Sequence, residues 1–184
     1  ERDIENGVSV TPDGQLMQNG RRIFDLKTCP NLRGPHNWQN AAVAYAAAMA
    51  AGFDEKQILA GLISFPGLAH RQKTVGTLNG IAYINDSKAT NDQAAAMALR
   101  TFDPIYWIAG GKSKGGGYAW CEQYISHVRH AFLIGQAADE MAAWLQKLKV
   151  PFTRSGTLDR ALADAHALAQ TEKKPGGAVL LAPA

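Results

Sequence analysis

Apolar runs alternate with helical segments through the second half of the chain, and this alternation limits the fold more than any other feature. The runs "IAYI", "PIYWIAGG", "HAFLIG" and "GAVLLAPA" are separated by stretches such as "DQAAAMALRTF", "ADEMAAWLQKL" and "LDRALADAHALAQ". Strands that are buried on both faces read as nearly continuous apolar runs, because helices cover both sides of a parallel sheet. The sequence therefore predicts an α/β fold with a mostly parallel sheet, including one further helix from Tyr118 to His127.

Residues 1–73 have a different pattern. Residues 8–26 alternate between apolar and polar types and contain Asp-Gly and Asn-Gly pairs, which are typical of hairpin turns between short antiparallel strands. The alanine-rich stretch 36–51 and the stretch 55–65 are predicted to be helices. The sequence "PGLAHRQKTV" then indicates a linker, so we expect a domain boundary near Lys73.

Composition and charge exclude several classes of function. The net charge of +3 is too small and too dispersed to indicate nucleic-acid binding. Cys29 and Cys121 stand far apart without metal-like spacing, which favours a reducing cytoplasmic location. The longest apolar stretch, residues 41–53, is shorter than the ~20 residues of a membrane span. Because the chain begins without Met and stops at "VLLAPA", we expect a fragment of a longer protein. We expect that protein to be a monomer.

The loop "NDSKATN", residues 85–91, carries the densest polar signal. It follows an apolar strand, and ligands of open α/β sheets bind beyond the carboxyl ends of the strands. Helix capping by Ser87, Thr90 or Asn91 would explain part of the loop, but it does not explain Asp86 and Lys88. A carboxylate can accept hydrogen bonds from ribose hydroxyls, and a lysine beside a helix N-terminus can bind phosphate or carboxylate.

The loop "GGKSKGGG", residues 110–117, follows the next predicted strand. Its glycines let backbone approach a ligand, and Lys112 and Lys114 supply positive charge. The loop matches neither the P-loop pattern nor the dinucleotide-binding glycine pattern. A flexible, solvated loop is the alternative interpretation.

Two weaker signals precede these loops. Asn37 and Asn40 stand three residues apart at the head of the alanine-rich helix, where paired amides could read an adenine edge. The alternative is that Asn37 caps the helix and Asn40 is solvated. In "GLAHRQ", Arg71 could bind phosphate through two parallel hydrogen bonds, and His70 could pack on a base or ribose. The alternative there is a surface arginine and a structural histidine.

The order of these motifs resembles one family. HN-x-x-N, GL-x-HR, NDSKATN and GG-x-x-K-G follow one another as in the Mur ligases, ATP-dependent amide ligases of peptidoglycan synthesis. Within that family, NDSKATN resembles the members that add D-glutamate. The resemblance implies that residues 1–73 are the tail of an α/β central ATPase domain. Residues 74–184 would then form most of a Rossmann-like C-terminal domain that receives the amino acid and is truncated at its end.

The resemblance also implies a reaction. ATP with Mg²⁺ would activate UDP-N-acetylmuramoyl-L-alanine as an acyl phosphate, which the amine of D-glutamate would attack. The P-loop and the metal ligands are expected outside this chain, so we predict no metal site within it and no activity of the fragment alone. The active site would be completed by domain closure about a hinge at residues 73–75.

The implied residue roles fall into two groups. The ATP-binding residues would be Asn37 and Asn40 for adenine, His70 beside the nucleotide, Arg71 for the phosphates and Asp86 for the ribose. Lys88, Thr90 and Lys114 would hold D-glutamate, and the expected catalytic residues are Lys114, Lys88 and Arg71.

Three alternatives stay open from the sequence. One is another ligase of the same superfamily, either a different Mur ligase or a folate polyglutamate ligase, against which NDSKATN argues. Another is a nucleotide-binding module without catalysis. The third is a dehydrogenase domain, against which the missing glycine fingerprint argues.

Overall fold

The chain divides into two compact units, residues 1–67 and 68–184. The structure, a computed structural model, describes residues 7–112 and 115–184. The division between Gly67 and Leu68 lies upstream of the boundary predicted near Lys73. Residues 73–75, where a hinge is predicted, belong to the first strand of the second unit.

The first unit combines a small antiparallel sheet with two helices. Its strands are β1 (Val8–Val10), β2 (Gln15–Gln18) and β3 (Arg21–Asp25), in the order β1-β2-β3, and its helices are α1 (Pro35–Ala50) and α2 (Glu55–Ser64). Asn19 and Gly20, which join β2 to β3, both adopt positive φ, as a tight hairpin turn between right-twisted strands requires. The predicted hairpin is thus present at this position.

The second unit is built on a six-stranded sheet. Its strands are β4 (Lys73–Leu78), β5 (Ile81–Asn85), β6 (Ile105–Gly111), β7 (Val128–Gly135), β8 (Phe152–Gly156) and β9 (Ala178–Leu181). The spatial order is β4-β5-β9-β6-β7-β8. Only the pair β4–β5 is antiparallel among these strands. The prediction of an α/β fold with a mostly parallel sheet is confirmed.

Helices cover both faces of this sheet. They are α3 (Asp92–Leu99), α4 (Ala119–Glu122), α5 (Ala138–Lys147) and α6 (Leu158–Glu172). Side chains of β6 alternate between two cores, because successive residues of a strand point to opposite faces. Trp107 lies in the core with α3 and α5, whereas Tyr106 lies in the core with α6. The alternation explains why the strand reads as one apolar run.

One predicted element is shorter than expected. In place of a helix from Tyr118 to His127, the structure has α4 and a separate 3₁₀ turn, Ile125–His127. Tyr124 interrupts the helix with φ −121° and ψ 13°, and its ring packs against the core of the α3 and α5 face. Burial of the aromatic ring thus overrides local helix propensity.

No helix in the described part of the chain is long and apolar enough to span a membrane.

Gly110 provides a test of the packing between β6 and β7. Its φ is +114°, and a Cβ added there would overlap the carbonyl oxygen of Ile134. We therefore expect Gly110→Ala to lower the free energy of unfolding by about 2–4 kcal/mol, measured by chemical denaturation. Gly116→Ala is the matched control, because a Cβ at Gly116 meets nothing within 4 Å. Equal stability of the two variants would contradict this account.

Candidate active site at the carboxyl edge of the sheet

A pocket of about 100 Å³ lies at the carboxyl edge of the second unit's parallel strands. Four strand ends contribute to it: residues 90–92 follow β5, residues 115–118 follow β6, Ala137 and Glu140 follow β7, and Ala184 follows β9. Open α/β sheets bind ligands at this edge, where neighbouring connections diverge. The two loops singled out in the sequence therefore meet at one pocket.

The loop after β5 is held by its own hydrogen bonds. Asn91 caps α3 by accepting from the Ala94 N–H at 2.8 Å, so the structure selects it from the three cap candidates. The Ala89 N–H donates to the Asp86 carbonyl at 2.9 Å, and the Thr90 N–H donates to the Lys88 carbonyl at 2.9 Å. Lys88 and Thr90 are exposed and neither caps the helix. The capping interpretation thus accounts for Asn91 but not for these two residues.

Asp86 is the one charged residue that is buried among residues 7–112 and 115–184, with 7% of its surface exposed. Burial raises the pKa of its carboxyl, while the backbone N–H of Gln72 and the guanidinium of Arg71 act in the opposite direction. Its own N–H donates to the Leu181 carbonyl at 2.8 Å. A buried carboxylate with a perturbed pKa at this edge is a candidate for ligand binding.

The segment that carries His70 and Arg71 is tied to the same loop. Asn85 Nδ2 lies 3.2 Å from His70 Nδ1 and donates to it, and the His70 carbonyl accepts from the Lys88 N–H at 3.1 Å. His70 and Gln72, which flank Arg71, have φ values of 62° and 43°. Side-chain-bearing residues rarely adopt such left-handed conformations, which tend to occur at functional sites. Four of the sequence-predicted site residues are therefore brought together: His70, Arg71, Asp86 and Lys88.

Several curated proteins that share the same name align with nearly the whole chain. The sequence is 52% identical over 181 residues to the UDP-N-acetylmuramoylalanine–D-glutamate ligase of Paramagnetospirillum magneticum, aligning 98% of this chain. Over an alignment of 187 positions that includes all of this chain, it is 49% identical to the ligase of the same name from Rhodospirillum rubrum. The chain is homologous to part of a Mur ligase. It spans 39% of the length of each of these two relatives, and no protein-family model matches it.

Solved structures of a Mur ligase and of a folylpolyglutamate synthase share the fold. The UDP-N-acetylmuramate–alanine ligase of Thermotoga maritima superposes with a TM-score of 0.66 at 17% identity, covering 92% of this chain and 38% of that chain. The Mycobacterium tuberculosis folylpolyglutamate synthase, complexed with ADP and AMPPCP, gives 0.65 at 17% identity, covering 96% and 44%. At these identities the likeness concerns the fold alone, and it agrees with the Rossmann-like arrangement.

The residues expected to read adenine lie in the first unit. Asn37 Nδ2 donates to the Arg33 carbonyl at 2.7 Å, and the cap of α1 is Gly34, without a side-chain cap bond. The alternative interpretation of Asn37 as the helix cap is therefore wrong. Asn40 is exposed on the same helix. The assignment of Asn37 and Asn40 to adenine stays a prediction.

The loop after β6 is described only in part. Lys114 and Ser113 lie outside the described residues, so the expected role of Lys114 stays a prediction. Lys112 is exposed directly after β6. The glycine at position 110, which the sequence indicated as a place for a ligand to approach, is required by the neighbouring strand at Ile134.

Two residues of the pocket carry no motif and were missed by sequence reasoning. Tyr118 is buried, and burial together with the nearby Glu140 carboxylate raises its pKa to about 12. The tyrosine follows the glycine stretch, and the acid lies in the first turn of α5. Because the two residues are far apart in the sequence, no local motif indicates that they lie together. Within residues 7–112 and 115–184, no group of three or more His, Cys, Asp or Glu side chains could hold a metal ion.

The cap of α3 gives a direct test of how the loop after β5 is built. Asn91→Ala removes the acceptor for the Ala94 N–H, so we expect it to lower the free energy of unfolding by about 1 kcal/mol in urea denaturation. Ser87→Ala is the control and should have almost no effect, because the Ser87 side chain does not cap the helix. A larger loss for Ser87→Ala than for Asn91→Ala would refute the assignment of the cap.

Proposed function

We propose that the chain is part of an ATP-dependent ligase that adds D-glutamate to UDP-N-acetylmuramoyl-L-alanine in peptidoglycan precursor synthesis. The main support is the near-complete alignment of the chain with relatives that carry that name at about half identity. The geometry supports the same proposal, because a pocket and a cluster of charged residues both lie at the edge where α/β sheets bind ligands. The names of the relatives favour D-glutamate over the substrates of other ligases in the superfamily.

The proposed reaction forms one amide bond and consumes one ATP. The terminal carboxylate of UDP-N-acetylmuramoyl-L-alanine takes the γ-phosphoryl group, which releases ADP and leaves an acyl phosphate. The amine of D-glutamate attacks the acyl carbon, the resulting tetrahedral intermediate collapses, and phosphate leaves as the amine loses its proton. Such a reaction depends mainly on positioning the amine and stabilising phosphate charge. Positively charged side chains at fixed positions are the groups that supply both.

The cluster around Asp86 suits the nucleotide part of this reaction. The buried Asp86 carboxylate would accept hydrogen bonds from the ribose, and the neighbouring guanidinium of Arg71 would bind the phosphates. His70, whose carbonyl and ring are fixed by Lys88 and Asn85, would pack beside the nucleotide. ATP requires Mg²⁺, but the described residues offer no group of ligands that fits it, so no step is assigned here to the metal.

The pocket suits the amino-acid part. Thr90 lines it, and Lys88 is exposed two residues earlier in the same loop. We propose that these residues, with Lys114, bind the carboxylates of D-glutamate and counter charge on the acyl phosphate. Asn37 and Asn40 of the first unit would read the adenine. In this proposal the protein is a cytoplasmic monomer that binds small molecules, without a nucleic-acid or membrane partner.

Phosphate release by the full-length protein that carries this chain tests the proposal. With ATP, Mg²⁺ and UDP-N-acetylmuramoyl-L-alanine present, we expect turnover with D-glutamate and none with L-glutamate, L-lysine or L-alanine. The 184-residue chain alone should show no turnover, and omission of the uridine nucleotide is the background control. Turnover with a different amino acid would replace the substrate, and binding of ATP without any turnover would favour a non-catalytic nucleotide-binding module.

Asp86→Asn tests the nucleotide cluster separately. Asparagine keeps an acceptor for the Gln72 N–H but removes the charge, so ATP binding should weaken by ~1–2 kcal/mol, the scale of a charge-assisted hydrogen bond. The dissociation constant can be measured by calorimetry in the full-length protein, with the exposed Asp159→Asn as control. An unchanged dissociation constant in Asp86→Asn would remove Asp86 from the nucleotide site.

A further inference from the structure

The glycine stretch that lines the pocket has open space where side chains would stand. Gly115 and Gly117 have φ values of 69° and 71°, and a Cβ added at Gly115, Gly116 or Gly117 would meet nothing within 4 Å. Glycine loses more conformational freedom on ordering than any other residue, so three in a row are costly to hold in one shape. A firmly packed residue directly beside the stretch limits the shapes that its backbone can adopt.

Tyr118 is the first residue after these glycines and is firmly packed. It is 9% exposed, and its ring centroid lies 5.1 Å from that of Trp144 on α5. Trp144 is itself fixed, since its ring meets Trp107 edge-on at 6.4 Å and its Nε1 donates to Glu122 at 3.0 Å. The end of the glycine stretch is thus attached to the core through an aromatic ring.

The hydroxyl of Tyr118 makes a second attachment. It donates to the carboxylate of Glu140, which lies in the first turn of α5 and also lines the pocket. Burial and the Glu140 charge raise the pKa of Tyr118 to about 12, which further favours the protonated hydroxyl that donates this bond. Glu140 is exposed, so its side chain is not held in place by burial.

We propose that Tyr118 and Glu140 are a positioning pair that fixes Gly115–Gly117 as one wall of the amino-acid pocket, which Thr90 also lines. This inference rests on the proposed function, because it assigns the pocket to the amino acid. The pair acts through the backbone of the glycine stretch and does not contact the reacting atoms. A purely structural role is the competing explanation, since an acid in the first turn of a helix also stabilises the helix dipole.

Two measurements on the full-length protein separate these explanations. Tyr118→Phe keeps the ring and removes the hydroxyl, so we expect the KM for D-glutamate to rise about five- to tenfold. The KM for ATP and the kcat should stay within about twofold of the unmodified protein, because the Asp86 cluster is built by other residues. Amide hydrogen exchange of Gly115–Gly117 should become faster in the same variant.

Matched variants sharpen the test. Tyr124→Phe makes the same chemical change on a nearby half-buried tyrosine that does not line the pocket, so it should behave like the unmodified protein. Glu140→Gln retains an acceptor without the charge and should give a smaller rise in the KM for D-glutamate than Glu140→Ala. An unchanged KM and unchanged exchange in Tyr118→Phe would overturn the inference. So would an equal rise of both KM values together with a lower unfolding temperature, which indicates general destabilisation.

Failure of the proposed function would look different. If the unmodified protein does not turn over D-glutamate, the proposed reaction fails, and the hydrogen-exchange measurement alone decides whether Tyr118 and Glu140 fix the glycine stretch. If the unmodified protein is active and Tyr118→Phe matches it in both measurements, only the positioning pair is overturned.

Discussion

The insertion of β9 between β5 and β6 is the constraint on which the candidate site depends. The last strand pairs in parallel with both neighbours, with Val179 beside Tyr83 on one side and Tyr106 on the other. The residues after β9 then link the end of β6 to the loop after β5. The Pro183 carbonyl accepts from the Gly110 N–H at 2.9 Å, and the Ala184 N–H donates to the Ala89 carbonyl at 3.0 Å.

A side chain strengthens the same link. Trp107 is fully buried in β6, and its Nε1 donates to the Ala182 carbonyl at 2.8 Å. A buried indole N–H without a partner would cost free energy, so this bond both satisfies the tryptophan and fixes the strand end. Loops that follow two different strands are therefore held at a constant separation by a third strand. That separation defines the pocket between them.

Much of this architecture could be predicted from the sequence, and the limits have physical causes. Strand and helix positions were predictable because burial on both faces leaves a local mark in apolar runs. The position of β9 left no such mark, since strand order is decided by pairing between distant segments. Local signals also failed where several residues could do the same task, as with the choice of Asn91 as the cap of α3.

The sequence indicated candidate site residues, but it did not indicate which of them lie next to one another. Arg71 and Asp86 were each expected at a nucleotide site, yet nothing local shows that one lies near the other. The Tyr118–Glu140 pair had no signal at all, because a tyrosine and a glutamate in separate elements match no motif. The sequence indicated Gly110 as a place for a ligand to approach. In the structure, a side chain at this position would instead overlap the Ile134 carbonyl on the next strand.

Under the proposed function, the turn from Asp86 to Thr90 would serve two ligands. Asp86 and Ala89 are buried, whereas Lys88 and Thr90 are exposed, so the turn alternates between anchoring and presenting residues. The anchors are bonded to the Leu181 carbonyl at the end of β9 and to the Ala184 N–H beyond it, which leaves the presented side chains little freedom to shift as a group. Under the proposed function, the nucleotide would meet the buried end of this turn and the amino acid its exposed end. The distance between the two ligands would then be set by the backbone of five residues, and that is the kind of fixed spacing that a reaction governed by positioning requires.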